Sequence, residues 1–388
     1  MKRWIGIGWI AWLPAVVLAQ EEGAGPLAPA ESQSLEETLN RGAARLDAGP
    51  FFAALHARIQ AWGGWVADDA LRSNGDQMQQ PGFRLRRARF GVESGFADWL
   101  RMALELDVFD QERTGGPLYE AFLDLRPIRY LGATIGFMKF PFSYDEMRSS
   151  ARLVHLDRAL GTFAMAPFST MGAVVYGEPW LNHLRITAGV FNGLQRKPGF
   201  HEGYEGVGVT EGNKFERLSY VGRVDLEPLD PVGPDQGDLA ASDRARLGLG
   251  GAVFYNDGRS IATLGASGYL HFKWYGAHLF GEVLWDRSKP QKTPTSPVNT
   301  IPERVSRLTA QGSVGYVWRS FGLAARVEYL DDNRDLQTEG DEVVIAGTFT
   351  YYAVQNFFKA QLEYQHRTEL HGRSLSNDAV LAGVQCYF

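Results

Sequence analysis

Arginine residues recur along this chain at positions where their side chains could bind anions. Arg87 and Arg89 are two residues apart, so in an extended strand both point to the same face. A guanidinium group keeps its charge at any accessible pH and offers several N–H donors, which suits it to oxyanions. Further arginines occupy the polar phase of other alternating segments: Arg101, Arg185, Arg217, Arg223, Arg246 and Arg326. At several heights of a channel wall, these residues would form a multi-site path for anions.

Acidic residues share the same phases, which gives the arginines a second interpretation. The acids on the polar faces of these segments are Glu93, Glu105, Asp107, Asp225 and Glu328. Opposite charges on one wall form charge-assisted hydrogen bonds with each other and leave little net charge for a passing ion. We call such a row of paired opposite charges a neutral ladder. The sequence does not decide between an anion path and a neutral ladder.

No arrangement of residues that supports catalysis or metal binding stands out. None of the eight histidines is spaced i, i+4 from another, and the single cysteine, Cys386, excludes a paired-cysteine zinc site. We therefore predict a protein that is not an enzyme and holds no cofactor or metal, although a Ser/His pair assembled from distant strands would escape this search. The formal net charge of −6 argues against nucleic acid as a partner.

The elements that would position the arginines are strands, because apolar and polar residues alternate with period two. Phe358, Leu362 and Tyr364 alternate with Lys359 and Glu363, for example. Sixteen candidate strands fall near 54–66, 83–93, 99–109, 117–126, 131–139, 170–178, 181–192, 215–227, 244–256, 260–273, 275–286, 304–317, 319–330, 342–352, 355–366 and 377–388. Many approach the ~9–11 residues of a tilted membrane strand. The pattern predicts an all-β fold, a 16-stranded antiparallel transmembrane β-barrel.

The connections between these segments tend to alternate between short and long, as in membrane barrels with short periplasmic turns and long outer loops. Aromatic residues lie near the short turns, where an interfacial girdle is expected: Trp99, Tyr130, Trp180, Trp274, Trp318 and Tyr352. Residues 228–243 break the alternation, since a long segment rich in Pro, Gly and Asp stands where a short turn is expected. Loop variability or a miscounted strand are the two explanations that the sequence offers.

The segment 140–165, after the fifth candidate strand, is too long for a simple turn. Its basic residues, with the lysine that precedes it, are Lys139, Arg148, Arg152 and Arg158, and its acids are Asp145, Glu146 and Asp157. In a large barrel a loop of this size can fold inward and narrow the lumen. The segment is predicted to be an inward-folded constriction loop, with an exposed flap as the alternative.

The two ends of the chain carry targeting and assembly signals. Lys2 and Arg3 precede an apolar stretch that reaches Ala19, which predicts a cleaved signal peptide over residues 1–19, with an uncleaved anchor as the alternative. Residues 20–50 are predicted to be a periplasmic segment and residues 51–388 the barrel. The last strand ends on Phe388 in phase with Val384, a pattern typical of bacterial outer-membrane proteins.

Several short motifs resemble the phosphate-selective porin O and P family of bacterial outer-membrane porins. They are the runs 83–93 (FRLRRARFGVE), 136–143 (GFMKFPFS) with Glu146, Ser149-Ser150, Leu156-Asp157-Arg158, and 189–193 (GVFNG). The resemblance covers residues 50–388 and implies a sixteen-stranded, trimeric outer-membrane channel. The arginine ladder and lysine cluster of the phosphate-selective members are not matched residue by residue.

Together these observations predict a channel for passive diffusion of small anions, phosphate among them. The lining residues predicted for it are Arg87, Arg89, Arg101, Lys139, Arg148, Arg152, Arg158, Arg217, Arg223, Arg246 and Arg326. Its partners would be outer-membrane lipid, small anions and two further copies of the chain in a homotrimer. The alternatives are a general porin for small polar solutes and, more remotely, a barrel enzyme or an adhesion protein.

Overall fold

A computed structural model describes residues 44–67, 81–97, 99–109, 117–194, 217–258, 261–290, 304–338, 340–372 and 374–388. The strands are β1 (Ala44–Ala48), β2 (Phe51–Val66), β3 (Gly82–Phe96), β4 (Leu100–Asp107), β5 (Leu118–Ile128), β6 (Leu131–Lys139), β7 (Ser169–Trp180), β8 (Leu184–Asn192), β9 (Leu218–Leu226), β10 (Arg246–Asp257), β11 (Ile261–Trp274), β12 (Ala277–Pro290), β13 (Val305–Trp318), β14 (Phe321–Asp331), β15 (Glu342–Val354), β16 (Phe358–Glu369) and β17 (Ala379–Tyr387). The predicted signal peptide lies outside the described residues.

Strands β2 to β17 form a closed barrel in which each strand is antiparallel to its neighbours. The closure joins the last strand to β2, from Ala379 opposite Val66 to Tyr387 opposite Arg58. The prediction of a 16-stranded antiparallel barrel is confirmed, with one extra strand in the same sheet. Each predicted strand position corresponds to one of the sixteen strands from β2 to β17.

The extra strand, β1, pairs with the beginning of β2. Ala44 lies opposite Leu55 and Ala48 opposite Phe51, which are positions of β2 beyond the end of β17. The sheet therefore begins inside the segment predicted to be periplasmic and non-barrel, residues 20–50. The rest of that segment lies outside the described residues.

The barrel is apolar on its outer face and polar on its inner face. In β14, for example, Leu323 and Val327 are 65% and 52% exposed, whereas Arg326 and Glu328 are buried. An apolar surface that surrounds the whole molecule suits lipid and not water, which sets this sheet apart from a soluble one. No helix among the described residues is long and apolar enough to cross a membrane.

Aromatic residues ring the barrel near the short turns, as predicted for five of the six positions. The exposed members are Trp99, Tyr130, Trp180, Trp274 and Trp318. Tyr352 was wrongly placed in the girdle, because it shares the inward phase of Thr348 and Thr350 and is buried. Its neighbour Tyr351 points outward and is 44% exposed.

The two ends of the barrel differ in their connections. We call the end with the short connections, such as 275–276 and 319–320, the turn end, and the opposite end the loop end. Residues 227–245 join β9 to β10 at the turn end. The predicted number of strands was therefore correct, and this long connection is an exception to the short turns of that end. At the loop end, β10 ends at Asp257 and β11 begins at Ile261.

Residues 140–168, between β6 and β7, fold into the lumen and are named the constriction loop. They contain the helix α1 (Tyr144–Met147), a 3₁₀ turn (Ser150–Arg152) and the helix α2 (Leu160–Met165). Phe140, Phe142 and Met165 are fully buried and pack against the inner face of the wall. This apolar cluster explains why the segment lies inside the barrel and is not an exposed flap.

Candidate functional site: the barrel lumen

A β-bulge in the wall directs two consecutive arginines into the lumen. Gln60 of β2 pairs with Arg87, but its neighbour Ala61 pairs with Leu85, so Arg86 is the additional residue. In a regular strand Arg86 and Arg87 would point to opposite faces, whereas the extra residue allows both to be buried inside. The sequence prediction found Arg87 and missed Arg86 because it assumed an unbroken period of two.

Both arginines bind one carboxylate of the constriction loop. Arg86 Nε donates to Asp157 Oδ2 at 2.8 Å, and Arg87 Nη2 donates to Asp157 Oδ1 at 2.7 Å. Arg326, across the lumen, donates to the backbone carbonyl of Asp157 at 2.8 Å. Burial alone would raise the pKa of Asp157, but the two guanidinium charges outweigh it and hold the pKa well below its ordinary range. Asp157 is therefore an ionised anchor at neutral pH.

Wall glutamates accept hydrogen bonds from backbone N–H groups of the constriction loop. Glu282 binds the N–H of Tyr144 at 2.5 Å, and Glu363 binds the N–H of Leu156 at 3.0 Å. Glu328 binds the N–H of Leu160, the first residue of α2, at 2.5 Å. The first N–H groups of a helix have no partner inside the helix, so Glu282 and Glu328 satisfy donors at the starts of α1 and α2 that would otherwise be unpaired.

Cationic side chains of the wall bind the loop's carbonyl groups in the same manner. Lys139 donates to the carbonyls of Met147 and Arg148 at 3.2 and 3.1 Å, and Lys359 donates to that of Leu153 at 2.5 Å. Arg307 donates to the carbonyl of Ala164 at 3.1 Å. Many of the charges that face the lumen thus hold the backbone of an inserted loop that is otherwise short of partners.

Within the constriction loop, Arg158 holds the carbonyl end of α1. Its guanidinium donates to the carbonyl oxygens of Asp145 at 3.0 Å, Glu146 at 3.1 Å and Arg148 at 2.5 Å, and it forms an ion pair with the Glu146 carboxylate at 3.1 Å. The side chain is buried. Arg158, predicted to line an anion path, therefore has its donors directed into the loop itself.

Most of the other predicted arginines also have acidic partners. Distances to the nearest carboxylate oxygen are 2.6 Å for Arg89 with Asp107, 2.7 Å for Arg101 with Glu93, 2.8 Å for Arg152 with Asp235, 3.0 Å for Arg217 with Asp257, 2.6 Å for Arg223 with Asp225 and 2.6 Å for Arg326 with Glu328. Arg217 lies at the loop end beside β9, and Arg246 begins β10 at the turn end. The neutral ladder thus describes these residues better than a continuous anion path.

A cavity of about 790 Å³ remains beside the constriction loop, along the inner faces of β2 to β9 and next to Tyr269 of β11. Toward the loop end the cavity is bounded by three wall residues, Arg89, Tyr119 and Lys139. On the side of the constriction loop it is bounded by Met147, Arg148 and Ser149. Toward the turn end it is lined by Arg126 and Arg185. A cavity flanked by an inserted loop on one side and polar wall on the other is the geometry of a narrowed channel.

Three cations that line this cavity lack a carboxylate within 4.0 Å among the described residues: Arg58, Lys139 and Arg148. Arg58 donates to the hydroxyls of Ser150 and Ser149 at 2.9 and 3.1 Å. Arg148 contacts His271 Nδ1 at 3.2 Å, and its Nε and Nη1 have no hydrogen-bond partner in the described part of the chain. Buried donors without a partner are costly, so these groups have free capacity to bind a further hydrogen-bond acceptor.

Tyrosine rings support several of the arginines at the cavity wall. The guanidinium carbons of Arg89 and Arg185 lie 3.5 and 3.9 Å from the ring centres of Tyr119 and Tyr176. Arg148 lies 4.9 Å from the ring centre of Tyr144. Cation–π contacts of this kind fix the orientation of a guanidinium group without neutralising its charge.

Sequence reasoning missed several lumen residues besides Arg86. Arg58 shares the inward phase of Gln60 on β2, so its orientation could have been read from the alternation. Lys359 and Glu363 were recognised as polar-phase residues but not as partners of the loop, since the sequence does not show which backbone group reaches them. Among the described residues, no group of three or more His, Cys, Asp or Glu side chains could hold a metal ion.

Comparison with known proteins supports the fold and leaves the family open. No protein-family model and no curated protein sequence matches the chain. The outer-membrane channel DcaP of Acinetobacter baumannii superposes with a TM-score of 0.58 at 12% identity, over 89% of this chain and 100% of that one. The anion-selective porin of Comamonas acidovorans gives 0.53 at 12% identity, over 87% and 100%. OmpT of Vibrio cholerae in its trimer form gives 0.53 at 10%, over 87% and 99%.

At these identities the similarity shows a shared fold. The chain has the fold of bacterial porins. Its resemblance to the phosphate-selective porin O and P family is carried by the short motifs alone, and the structure uses two of them, 83–93 and 156–158, for the contact between the wall and the constriction loop.

Proposed function

We propose that this protein is a channel for passive diffusion across the bacterial outer membrane, with the turn end facing the periplasm. The closed barrel with an apolar outer face carries the proposal, because such a surface is stable only in lipid. The inserted loop and the cavity beside it supply a narrowed path. The porin-type folds of DcaP and of the Comamonas acidovorans porin support the same function.

We propose further that small anions are preferred, phosphate among them. The support is three cations that line the cavity, Arg58, Lys139 and Arg148, because no carboxylate of the described residues lies within 4.0 Å of their charged groups. A cation in a constriction of low dielectric attracts anions over a distance that exceeds the contact itself. The paired arginines elsewhere in the lumen add little to this preference.

The test is the zero-current potential of the purified protein in a planar bilayer under a KCl gradient, with and without phosphate. A potential of the sign for chloride permeation, and a current reduced by phosphate, would support an anion channel that binds phosphate. Anion preference without reduction by phosphate would support the anion channel and reject phosphate as a favoured solute. Weak selectivity would favour the second candidate, a general porin for small polar solutes, which the many neutralised arginines support.

We propose a homotrimer as the functional assembly. The support is the trimer form of Vibrio cholerae OmpT, which shares the fold. Native mass spectrometry of the detergent-solubilised protein tests this proposal, with a mass near three chains as the expected result and a single-chain mass as the contrary one.

A further inference from the structure

The connection between β9 and β10, residues 227–245, folds into the lumen at the turn end. Within it, Val232, Gln236 and Asp238 are 0%, 2% and 1% exposed. A surface loop of this composition would be hydrated throughout, whereas these side chains are as buried as a protein core. We name residues 227–245 the turn-end insert.

Hydrogen bonds fix the turn-end insert to the wall at β11 and β12. Lys273 donates to the backbone carbonyls of Val232 and Asp235, and His271 Nε2 lies 2.9 Å from the carbonyl of Gln236. The Asp238 carboxylate accepts the N–H of Gly276, in the turn between these strands, at 2.8 Å. Lys273 and His271 are buried, so these contacts are shielded from water.

The turn-end insert also binds the constriction loop directly. The N–H of Gln236 donates to the carbonyl of Arg152 at 3.0 Å, and Gln236 Oε1 accepts the N–H of Val154 at 2.9 Å. Asp235 Oδ1 accepts from Arg152 Nη1 and from Asn356 Nδ2, both at 2.8 Å. Backbone and side-chain atoms of Asp235 and Gln236 therefore join the turn-end insert to the constriction loop. We call the two joined segments the partition; it reaches the turn between β15 and β16.

The partition and the cavity occupy different sides of the lumen. Residues 232–243 of the insert are hydrogen-bonded to β11, to the turn between β11 and β12, and to Asn356, whereas Glu227 at its start pairs with His183 beside β8. The cavity follows β2 to β9 and also reaches Tyr269 of β11, and it meets the insert at Glu227, Gly233 and Pro234. The large cavity thus lies on the β2 to β9 side of the lumen, and the packed polar contacts of the insert lie mainly on the side of β11 and Asn356.

We propose that the turn-end insert is a second constriction element, which closes the β11 to β16 side of the lumen from the turn end and sets the upper size of the permeating solute. The inference rests on the proposed channel function. The constriction loop alone would narrow the lumen from one face. Together the two segments confine permeation to an off-centre path along β2 to β9.

The test replaces residues 230–245 by Asn-Gly. Leu226 pairs with Leu249, so this two-residue turn continues the register of β9 and β10 through position 229 opposite position 246. We expect the single-channel conductance to rise about twofold or more, and larger neutral sugars to enter proteoliposomes in a swelling assay. The matched control is Asp230→Asn, which removes an exposed ion pair with Arg244 at 3.7 Å on the same segment and should leave both readings unchanged.

A second variant keeps the inference testable if the shortened barrel does not fold. Asp235→Ala with Gln236→Ala removes the side-chain contacts to Arg152 and Val154 of the constriction loop in the full-length chain and keeps the backbone hydrogen bond to Arg152, so an intermediate rise in conductance is expected. Unchanged conductance and size limit in a variant that folds, judged by heat-modifiable migration, would overturn the inference. A wild-type protein that conducts nothing would instead refute the proposed channel function, so the two failures are distinguishable.

Discussion

Nη2 of Arg87 and Oδ1 of Asp157 lie 2.7 Å apart, and this contact joins the barrel wall to the constriction loop. The sequence predicted Arg87 as a residue that attracts permeating anions. In the structure it already binds an anion, the carboxylate of the protein's own loop. The charged residues of the lumen therefore divide into those that hold the loop and those that face the cavity.

Replacing Asp157 with Asn is expected to loosen the constriction loop. The change leaves Arg86 and Arg87 buried without their carboxylate, and breaking a buried ion pair from one side costs about 3–5 kcal/mol. Bilayer recordings should show larger current fluctuations, and the unfolding temperature should fall. Asp243→Asn, at an exposed position of the turn-end insert, is the control. A stable and quiet Asp157→Asn channel would contradict the anchoring role.

Replacing Arg148 with Gln is expected to lower anion preference, because this residue faces the cavity without a carboxylate partner. The anion-to-cation permeability ratio should fall roughly two- to threefold, since a charge acting through water contributes on the order of 1 kcal/mol or less. Arg101→Gln is the matched control, because Arg101 also lines the cavity but pairs with Glu93 at 2.7 Å. Equal losses in both variants would show that pairing does not decide selectivity.

Acidification is expected to weaken the docking of the constriction loop through His155. Its ring contacts Thr348 and Ser313 at 2.7 and 2.9 Å, and burial followed by the charge of Arg326 lowers its pKa, against the opposing effect of Glu363. The undocked imidazole would titrate near about 6.5. The ring binds a proton less readily when the loop is docked than when it is undocked, so protonation favours the undocked loop. The free energy of docking is therefore fully present above that pH and declines as the pH falls below it.

Current noise recorded at decreasing pH from neutrality measures this effect. Noise should increase below about pH 6.5, the value for an unperturbed histidine. His155→Gln should abolish the pH dependence, whereas His366→Gln, at an exposed position, should retain it. A wild-type channel whose noise does not change with pH would count against His155 as the responsible group.

A small residue in α2 permits close packing against the wall. A Cβ added at Gly161 would lie 1.7 Å from Thr309 Oγ1, which requires the helix or the strand to move. Gly161→Val is therefore expected to displace the constriction loop and to destabilise the fold by about 1–3 kcal/mol, the usual cost of overpacking. Gly312→Ala, in β13 where an added Cβ meets nothing within 4 Å, should be tolerated, and thermal denaturation compares the two.

The outer face of β14 tests the membrane assignment. Val327 is 52% exposed near the middle of its strand. Val327→Arg is expected to destabilise the barrel in lipid by about 2–4 kcal/mol, the cost of a basic residue on the lipid face near the midplane. Val327→Leu should be neutral. Refolding into vesicles across a urea series measures both, and equal stability of the two variants would argue that this face does not contact lipid.

The strands could be predicted because every second residue of a strand faces the same environment. An outer face in lipid and an inner face in polar surroundings impose period two on each of β2 to β17, so sequence patterns located all sixteen. The constriction loop was also predictable, since its length and its apolar residues require a place to be buried. Local regularity is the common reason for both successes.

The functions of individual charges could not be predicted, because they depend on contacts far apart in sequence. The inward direction of Arg86 requires a bulge opposite Gln60, and no sequence rule signals it. Glu328 and Lys359 bind backbone atoms of the constriction loop. Every residue has the same backbone groups, so the sequence does not show which of them is the partner. The turn-end insert stood out only as an exception, since a Pro- and Gly-rich segment has no period that would show where it lies.

The seam between β17 and β2 determines when this barrel can be completed. Val66 and Ala379 pair although more than three hundred positions separate them, so no closed sheet exists until the last strand has arrived. Contacts this distant in sequence form late, since closing the intervening chain costs entropy before any contact compensates for it. Until then the edge of β2 is open over most of its length, and β1 covers only its first residues. Assembly must therefore protect an unfinished edge, and the completed molecule has none at the seam from Arg58 to Val66.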